Sequence, residues 1–219
     1  MRVVCIGYRD WALKIYDTLE SSLPYQFLII RSKNQYEESV IQDFQPDLVL
    51  FYSWSWVISD NIIENYKCVM LHPSKLPKYR GGSPIQNQIM DGVTKSAVTL
   101  FLMNDKLDSG PILRQEEISL LGSLVEIFAQ MTAIGIKLTL DILTNGLHST
   151  PQDDTESTYC KRRNPEDSEI TIEELQSKSA NYLHDKIRML QRPYPYPYII
   201  TADHKKLFFH STSIGEDVQ

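Results

Sequence analysis

The chain has 219 residues, 42% of them hydrophobic and 23% charged, with 22 basic residues against 28 acidic ones and a formal net charge of −6. These proportions exclude collagen-like, low-complexity and disordered classes, and the acidic balance argues against broad nonspecific binding to nucleic acid. At this length roughly 70% of the unfolded surface is buried on folding, enough for one sizeable core and a short appendage.

The apolar stretches Val98 to Met103 and Leu48 to Tyr52 fall far short of a bilayer span, and the opening MRVVCIGYRDW lacks the apolar region of a signal peptide. A cytoplasmic protein with no membrane partner is expected. Cys5, Cys68 and Cys160 form no CxxC pair, so neither a disulfide framework nor a metal site is indicated.

Along the chain, apolar runs alternate with helical patterns. Arg2 to Gly7 reads as a buried strand, Trp11 to Leu19 as a helix, Tyr25 to Arg31 as a second strand, Glu37 to Phe44 as a helix and Asp47 to Tyr52 as a third strand. Cys68 to Leu71 is a short strand that runs into PSKLPKYRGGSP, a loop because its prolines and glycines interrupt regular structure. Ala97 to Met103 is another strand. Ser123 to Leu143 is a long helix, with Ser123 and Glu126 spaced as a capping box and Gly146 past its end. Strands separated by helices predict an α/β fold, a Rossmann-like, mostly parallel sheet covered by helices. Residues 1–149 are expected to form the main domain and 150–170 a polar linker. Residues 171–219 then supply a C-terminal helix, Thr171 to Leu190, and a hairpin-like tail turning at Ala202 to His204.

Ligands of such sheets bind beyond the carboxyl ends of the strands. His72 sits there, where a strand meets the proline-bound loop, and Asp108 lies in MNDKLDSGP after the next long strand. Asp-Ser-Gly-Pro is also a common turn. If two neighbouring parallel strands end at the same sheet edge, however, the two residues meet, and a carboxylate beside an imidazole fixes its tautomer. In Tyr52-Ser53-Trp54-Ser55-Trp56 the aromatics share one face and the serines the other, provided the strand persists that far. Lys78, Tyr79 and Arg80 lie in the loop next to His72 and are candidates for an anionic ligand.

The segment LHPSKLPKYRGGSPIQNQIMDG, with LDSGPI placed so that Asp108 follows His72 by 36 positions, resembles the formyltransferases that use 10-formyltetrahydrofolate. TYCKRRNPEDSEI and IRMLQRPYP are similar to the linker and post-linker segments of that family's tRNA and sugar enzymes. The resemblance implies that His72 stabilises the oxyanion formed when an amine attacks the formyl carbon, and moves protons. It implies that Asp108 holds His72 and relays the amine's proton through water. It also places the donor, 10-formyltetrahydrofolate, between Trp54, Ser55 and Trp56 on one side and the Asn104 and Asp105 loop on the other. One position departs from the family: Met70 stands where Asn is usual, two residues before His72. A subfamily that manages without the amide, a substituted protein and a non-catalytic relative all remain open.

The acceptor is narrowed by what the chain lacks. GYRDWA after the first strand, with Tyr8 and Arg9, has none of the phosphate cradle of the purine-pathway enzyme. Only 56 residues follow Arg163, from 164 to 219, too few for the basic barrel of methionyl-tRNA formyltransferases. The expected acceptor is therefore a dTDP- or UDP-linked amino sugar used in surface polysaccharides, contacted by Tyr8, Arg9, Lys78, Tyr79 and Arg80. The apolar tail suggests a homodimer.

Overall fold

The computed structural model describes residues 1–215; the final four positions of the expected C-terminal segment lie outside the described residues. The chain opens with β1 (Arg2–Ile6), α1 (Asp10–Ser22), β2 (Gln26–Ile30), α2 (Glu38–Phe44), β3 (Leu48–Tyr52) and α3 (Asp60–Asn65). It continues through β4 (Cys68–His72), a two-residue β5 (Arg80–Gly81), α4 (Pro84–Met90), β6 (Lys95–Leu102), β7 (Ile112–Ser119) and α5 (Leu124–Asn145). After a two-residue β8 (Tyr159–Cys160) come α6 (Ile172–Ser177), α7 (Ala180–Met189), β9 (Tyr198–Ile200) and β10 (Lys206–Phe208).

Six strands form one sheet in the order β2-β1-β3-β4-β6-β7. The pairs from β2 to β4 are parallel and the last two are antiparallel. The expected mostly parallel, helix-covered sheet is present. The route expected to bring His72 and Asp108 together is not. β6 runs against β4, with His72 opposite Thr99 and Leu102 opposite Val69, so the carboxyl end of β6 lies at the start of β4. The loop after Leu102 has to double back along β4 to reach His72.

Pleating sorts the side chains of β4 between two cores. Val69 and Leu71 enter the larger one with α1 and α5, while Cys68 and Met70 belong to the smaller one with Ile41, Phe51, Trp54 and Ile62. His72 follows the second parity. α5 is capped as expected, Ser123 accepting from Glu126 N and the Glu126 carboxylate accepting from Ser123 N. It is long and apolar enough to cross a bilayer, which the sequence reading did not anticipate. Its buried residues Leu124, Ile127, Met131, Leu138 and Ile142 pack into the larger core.

The helix expected from Thr171 to Leu190 is two helices. Lys178 is extended (φ −98°, ψ 150°), and Ser179 accepts from Tyr182 N to cap α7 afresh, so a local capping serine overrides the continuous apolar period. The tail is the expected hairpin, with Lys206 to Phe208 antiparallel to Tyr198 to Ile200.

Beyond the carboxyl ends of β1 and β3 the chain is drawn tight. A Cβ on Gly7 would lie 2.4 Å from the Tyr52 carbonyl. Tyr16 Oη donates to Ile6 O at 2.9 Å and accepts from Tyr52 N at 2.7 Å. Replacing Tyr16 by Phe strands a buried amide, and the expected loss of stability is about 1–3 kcal/mol in urea unfolding; an unchanged midpoint would mean the two strand ends do not depend on that hydroxyl.

Candidate active site

His72 and Asp108 lie together, both nearly buried, with Nδ1 3.5 Å from Asp108 Oδ2. The other ring nitrogen, Nε2, is 2.8 Å from the carbonyl of Tyr79. A carbonyl only accepts, so Nε2 carries the hydrogen, and in the neutral ring Nδ1 turns a lone pair toward the carboxylate. The tautomer is thus fixed by the proline-bound loop and not, as expected, by Asp108. The gap between Nδ1 and Oδ2 has room for one proton shared by imidazole and carboxylate. Asp108 Oδ2 is oriented independently, by the amide of Gly81 at 2.8 Å.

Both loops carry unusual backbone at this point. Asp108 (φ 49°) and Tyr79 (φ 59°) are left-handed non-glycine residues, a conformation that persists only where its surroundings impose it. Gly110 allows the return of the second loop, because a Cβ there would lie 1.7 Å from Leu102 O.

Residues 150–163, expected to be a linker, are sewn to this site. β8 pairs with β5, and Arg80 N and Gly82 N donate to Thr158 O and Cys160 O at 2.8 and 3.0 Å. Tyr79 N donates to Thr158 Oγ1 at 2.8 Å. Gln152, half-buried, donates through Nε2 to the carbonyls of Asp108 (3.0 Å) and Gly110 (2.7 Å) and accepts through Oε1 from Arg80. Sequence reasoning missed Gln152, Thr158 and the Gly81 amide. A polar acidic stretch gives no cue that one of its amides is spent internally, and a backbone donor has no letter of its own.

The expected acceptor residues divide. Arg80 is 1% exposed, and its guanidinium donates to Gln152, to Asp154 Oδ1 at 2.7 Å and to Tyr159 Oη at 3.1 Å. This corrects the sequence expectation: its charge is consumed inside the protein. The Tyr79 hydroxyl donates to Asp91 at 3.0 Å, and burial, then that contact, push the phenol up to about 12. Lys78 is exposed and 3.6 Å from Glu156. Tyr8 and Arg9 stand after β1, the Tyr8 hydroxyl 2.8 Å from Ser55 Oγ and the Arg9 guanidinium over the rings of Tyr8 and Tyr194.

The strand does not persist into the tryptophans. β3 stops at Tyr52, and Ser53 is left-handed (φ 57°), so alternation cannot carry Trp54 and Trp56 to one face. They meet by packing instead, their ring centroids 4.7 Å apart. Trp54 is 8% exposed and also packs on Tyr36, whereas Trp56 is 41% exposed and packs on Tyr8. The Lys33 ammonium stands over Tyr36, Trp54 and Trp56 at 4.9, 5.7 and 5.9 Å. Trp54 therefore belongs largely to the smaller core. Asn104 folds its own loop, its Oδ1 accepting from Lys106 N and Ser109 Oγ, each at 3.2 Å, and Asp105 is exposed. Met70 shares the His72 side of β4 and offers only a thioether, which donates nothing. Of the two amides that could substitute, Asn87 is engaged with the carbonyls of Gly82 and Lys161, and Gln86 is buried with Nε2 unpartnered among the described residues.

The buried position of Arg80 is open to test. Replacing it by Ala is expected to cost about 2–3 kcal/mol in urea unfolding, through the loss of charge-assisted hydrogen bonds. A variant of unchanged stability that only binds its acceptor more weakly would return Arg80 to the ligand side.

A family model described as formyl transferase matches residues 20–126. A methionyl-tRNA formyltransferase from Syntrophomonas wolfei is 34% identical over 169 residues, covering 73% of this chain and 52% of the relative; the chain spans about half the length of the curated relatives it matches. Among solved structures, a methionyl-tRNA formyltransferase from Clostridium thermocellum superposes with a TM-score of 0.89 at 29% identity, covering 98% of this chain and 94% of that one. Length by itself therefore does not separate a tRNA acceptor from a sugar, contrary to the expectation from sequence. A sugar N-formyltransferase from a Shewanella species shares the fold, with a TM-score of 0.76 at 15% identity and 99% of both chains covered. With these matches spanning the residues that build the His72 and Asp108 site, the chain belongs to the formyl transferase family.

Proposed function

We propose that this chain transfers a formyl group from 10-formyltetrahydrofolate to the amine of a dTDP- or UDP-linked amino sugar, in the cytoplasm, as a step toward surface polysaccharide. The observation that carries the formyl-transfer reading is the juxtaposition of the His72 ring and the Asp108 carboxylate, held by the loops in which the family resemblance lies. Bound folate supplies an activated formyl group on nitrogen. His72 would accept the attacking amine's proton at Nδ1 with Asp108 balancing the charge; as the amine nitrogen bonds to the formyl carbon, that carbon's bond to the folate nitrogen would break and the proton held at Nδ1 would pass to the departing nitrogen.

The residues at hand fit an aromatic donor in part. Trp56 and Leu107, 41% and 62% exposed, are apolar groups at the surface of the two loops, and Trp54 Nε1 and Tyr36 Oη are buried without a partner among the described residues. In support of a nucleotide-linked acceptor stand Tyr8, Arg9, Lys33 and Trp56 after β1, β2 and β3, rings and cations suited to a base and a diphosphate. The net charge of −6 weighs against a nucleic-acid acceptor. A second reading, methionyl-tRNA as acceptor, is favoured by the names of relatives 31–34% identical.

His72→Ala and Asp108→Ala are each expected to fold normally and to lose on the order of 10²–10⁴ in rate; near-normal transfer by either removes the pair from the chemistry. Wild-type protein assayed with 10-formyltetrahydrofolate is expected to formylate a member of a dTDP- and UDP-amino sugar panel. Product from methionyl-tRNA alone transfers the assignment to the second reading. Folate binding without product from any acceptor, with activity gained in Met70→Asn, identifies a binding protein that has lost turnover.

A homodimer is part of the same reading. Ile200 and Phe208 on one face of the hairpin are 40% and 48% exposed, and Leu207 on the other is 54% exposed. Light scattering is expected to give twice the chain mass, and a monomer would dismiss the dimer.

A further inference from the structure

We propose that Gln152 is a positioning residue for the His72 and Asp108 pair, acting by clamping the left-handed backbone of Asp108 to the loop that holds His72. The inference rests on the formyl-transfer reading for its kinetic consequence, but not for its geometry.

Three successive residues of the proline-bound loop each hold one part of the pair. The Tyr79 carbonyl takes His72 Nε2, the Gly81 amide takes Asp108 Oδ2, and between them Arg80 sends its guanidinium to Gln152, which returns to the Asp108 backbone. The circuit closes: His72, Tyr79, Arg80, Gln152, Asp108 and again His72. Without Gln152 the carboxylate has a donor, but the peptide that carries it has none from this side. Asp108 O accepts from Gln152 at 3.0 Å, and φ is 49° at the same residue. A strained backbone is held by the bonds around it, and relaxation at Asp108 would swing Oδ2 away from Nδ1, already 3.5 Å distant.

The chemistry of the site specifies an amide. Its oxygen faces Nε and Nη2 of Arg80 at 3.1 and 2.8 Å, and its nitrogen faces two carbonyls. A flipped amide would set NH₂ against a guanidinium and oxygen against two oxygens, so one orientation is possible. Glu keeps the half that serves Arg80 and loses the half that serves Asp108. Leu loses both.

This difference makes the test. If Gln152 only ties residues 150–163 to Arg80, Gln152→Glu behaves as wild type. If it positions Asp108, Gln152→Glu, still folded under assay conditions with its contact to Arg80 kept, loses on the order of ten- to a hundredfold in kcat, with KM for 10-formyltetrahydrofolate within about twofold. Gln152→Leu loses both kcat and stability. In ¹⁵N NMR of the ligand-free protein, the His72 ring of Gln152→Glu is expected to keep its Nε2–H, still held by the Tyr79 carbonyl, while the Nδ1 signal moves as the Asp108 carboxylate swings away from it. That measurement needs no substrate, so it stands even where the wild type forms no formyl product. Wild-type kcat, or unshifted ring signals, in Gln152→Glu overturns the proposal.

Discussion

The carboxylate of Asp108 is the point on which two loops are joined. One oxygen must accept the Gly81 amide and also face His72, and neither loop can supply that arrangement alone. The chain reaches it by reversing direction after β6, turning tightly at Gly110 and accepting a left-handed residue at Asp108. Beside those strained residues stand hydrogen bonds from the Gly81 amide to the Asp108 carboxylate, from Gln152 to Asp108 O and Gly110 O, and from Tyr79 N to Thr158. The short parallel strands beneath set the distance, and the buried Tyr16 hydroxyl keeps the ends of β1 and β3 in step.

The fold was legible to the extent that period and capping express it. The strands before His72 and the cap of α5 were read within a few residues, because burial on both faces leaves unbroken apolar runs and Ser123 with Glu126 is a local device. The antiparallel turn into β6 was not legible. Strand direction depends on what the connecting segment crosses, and α4 with its flanking loop looks alike in either case. The break at Lys178 was hidden for the opposite reason: the apolar period runs through it while a single serine resets the helix.

At the site, His72 and Asp108 could be picked out because a titratable residue beside prolines and glycines is conspicuous. Arg80 was conspicuous in the same way and turned out to face inward. A letter such as R announces charge but not its destination, and the residues that decide the destination, Gln152, Asp154 and Tyr159, lie more than seventy positions away. Trp54 shows the limit of alternation, since one left-handed serine ends the strand and with it the face assignment.

Part of the hold of residues 150–163 on the proline-bound loop is made by backbone groups alone, Arg80 N to Thr158 O and Gly82 N to Cys160 O. Peptide amides do this whatever side chains they carry. Sequence here can drift freely wherever a side chain is not itself a partner, and whatever follows Arg163 leaves from a fixed point at the rim of the site. Different C-terminal segments can therefore be attached at that point over evolutionary time without disturbing the contact between His72 and Asp108.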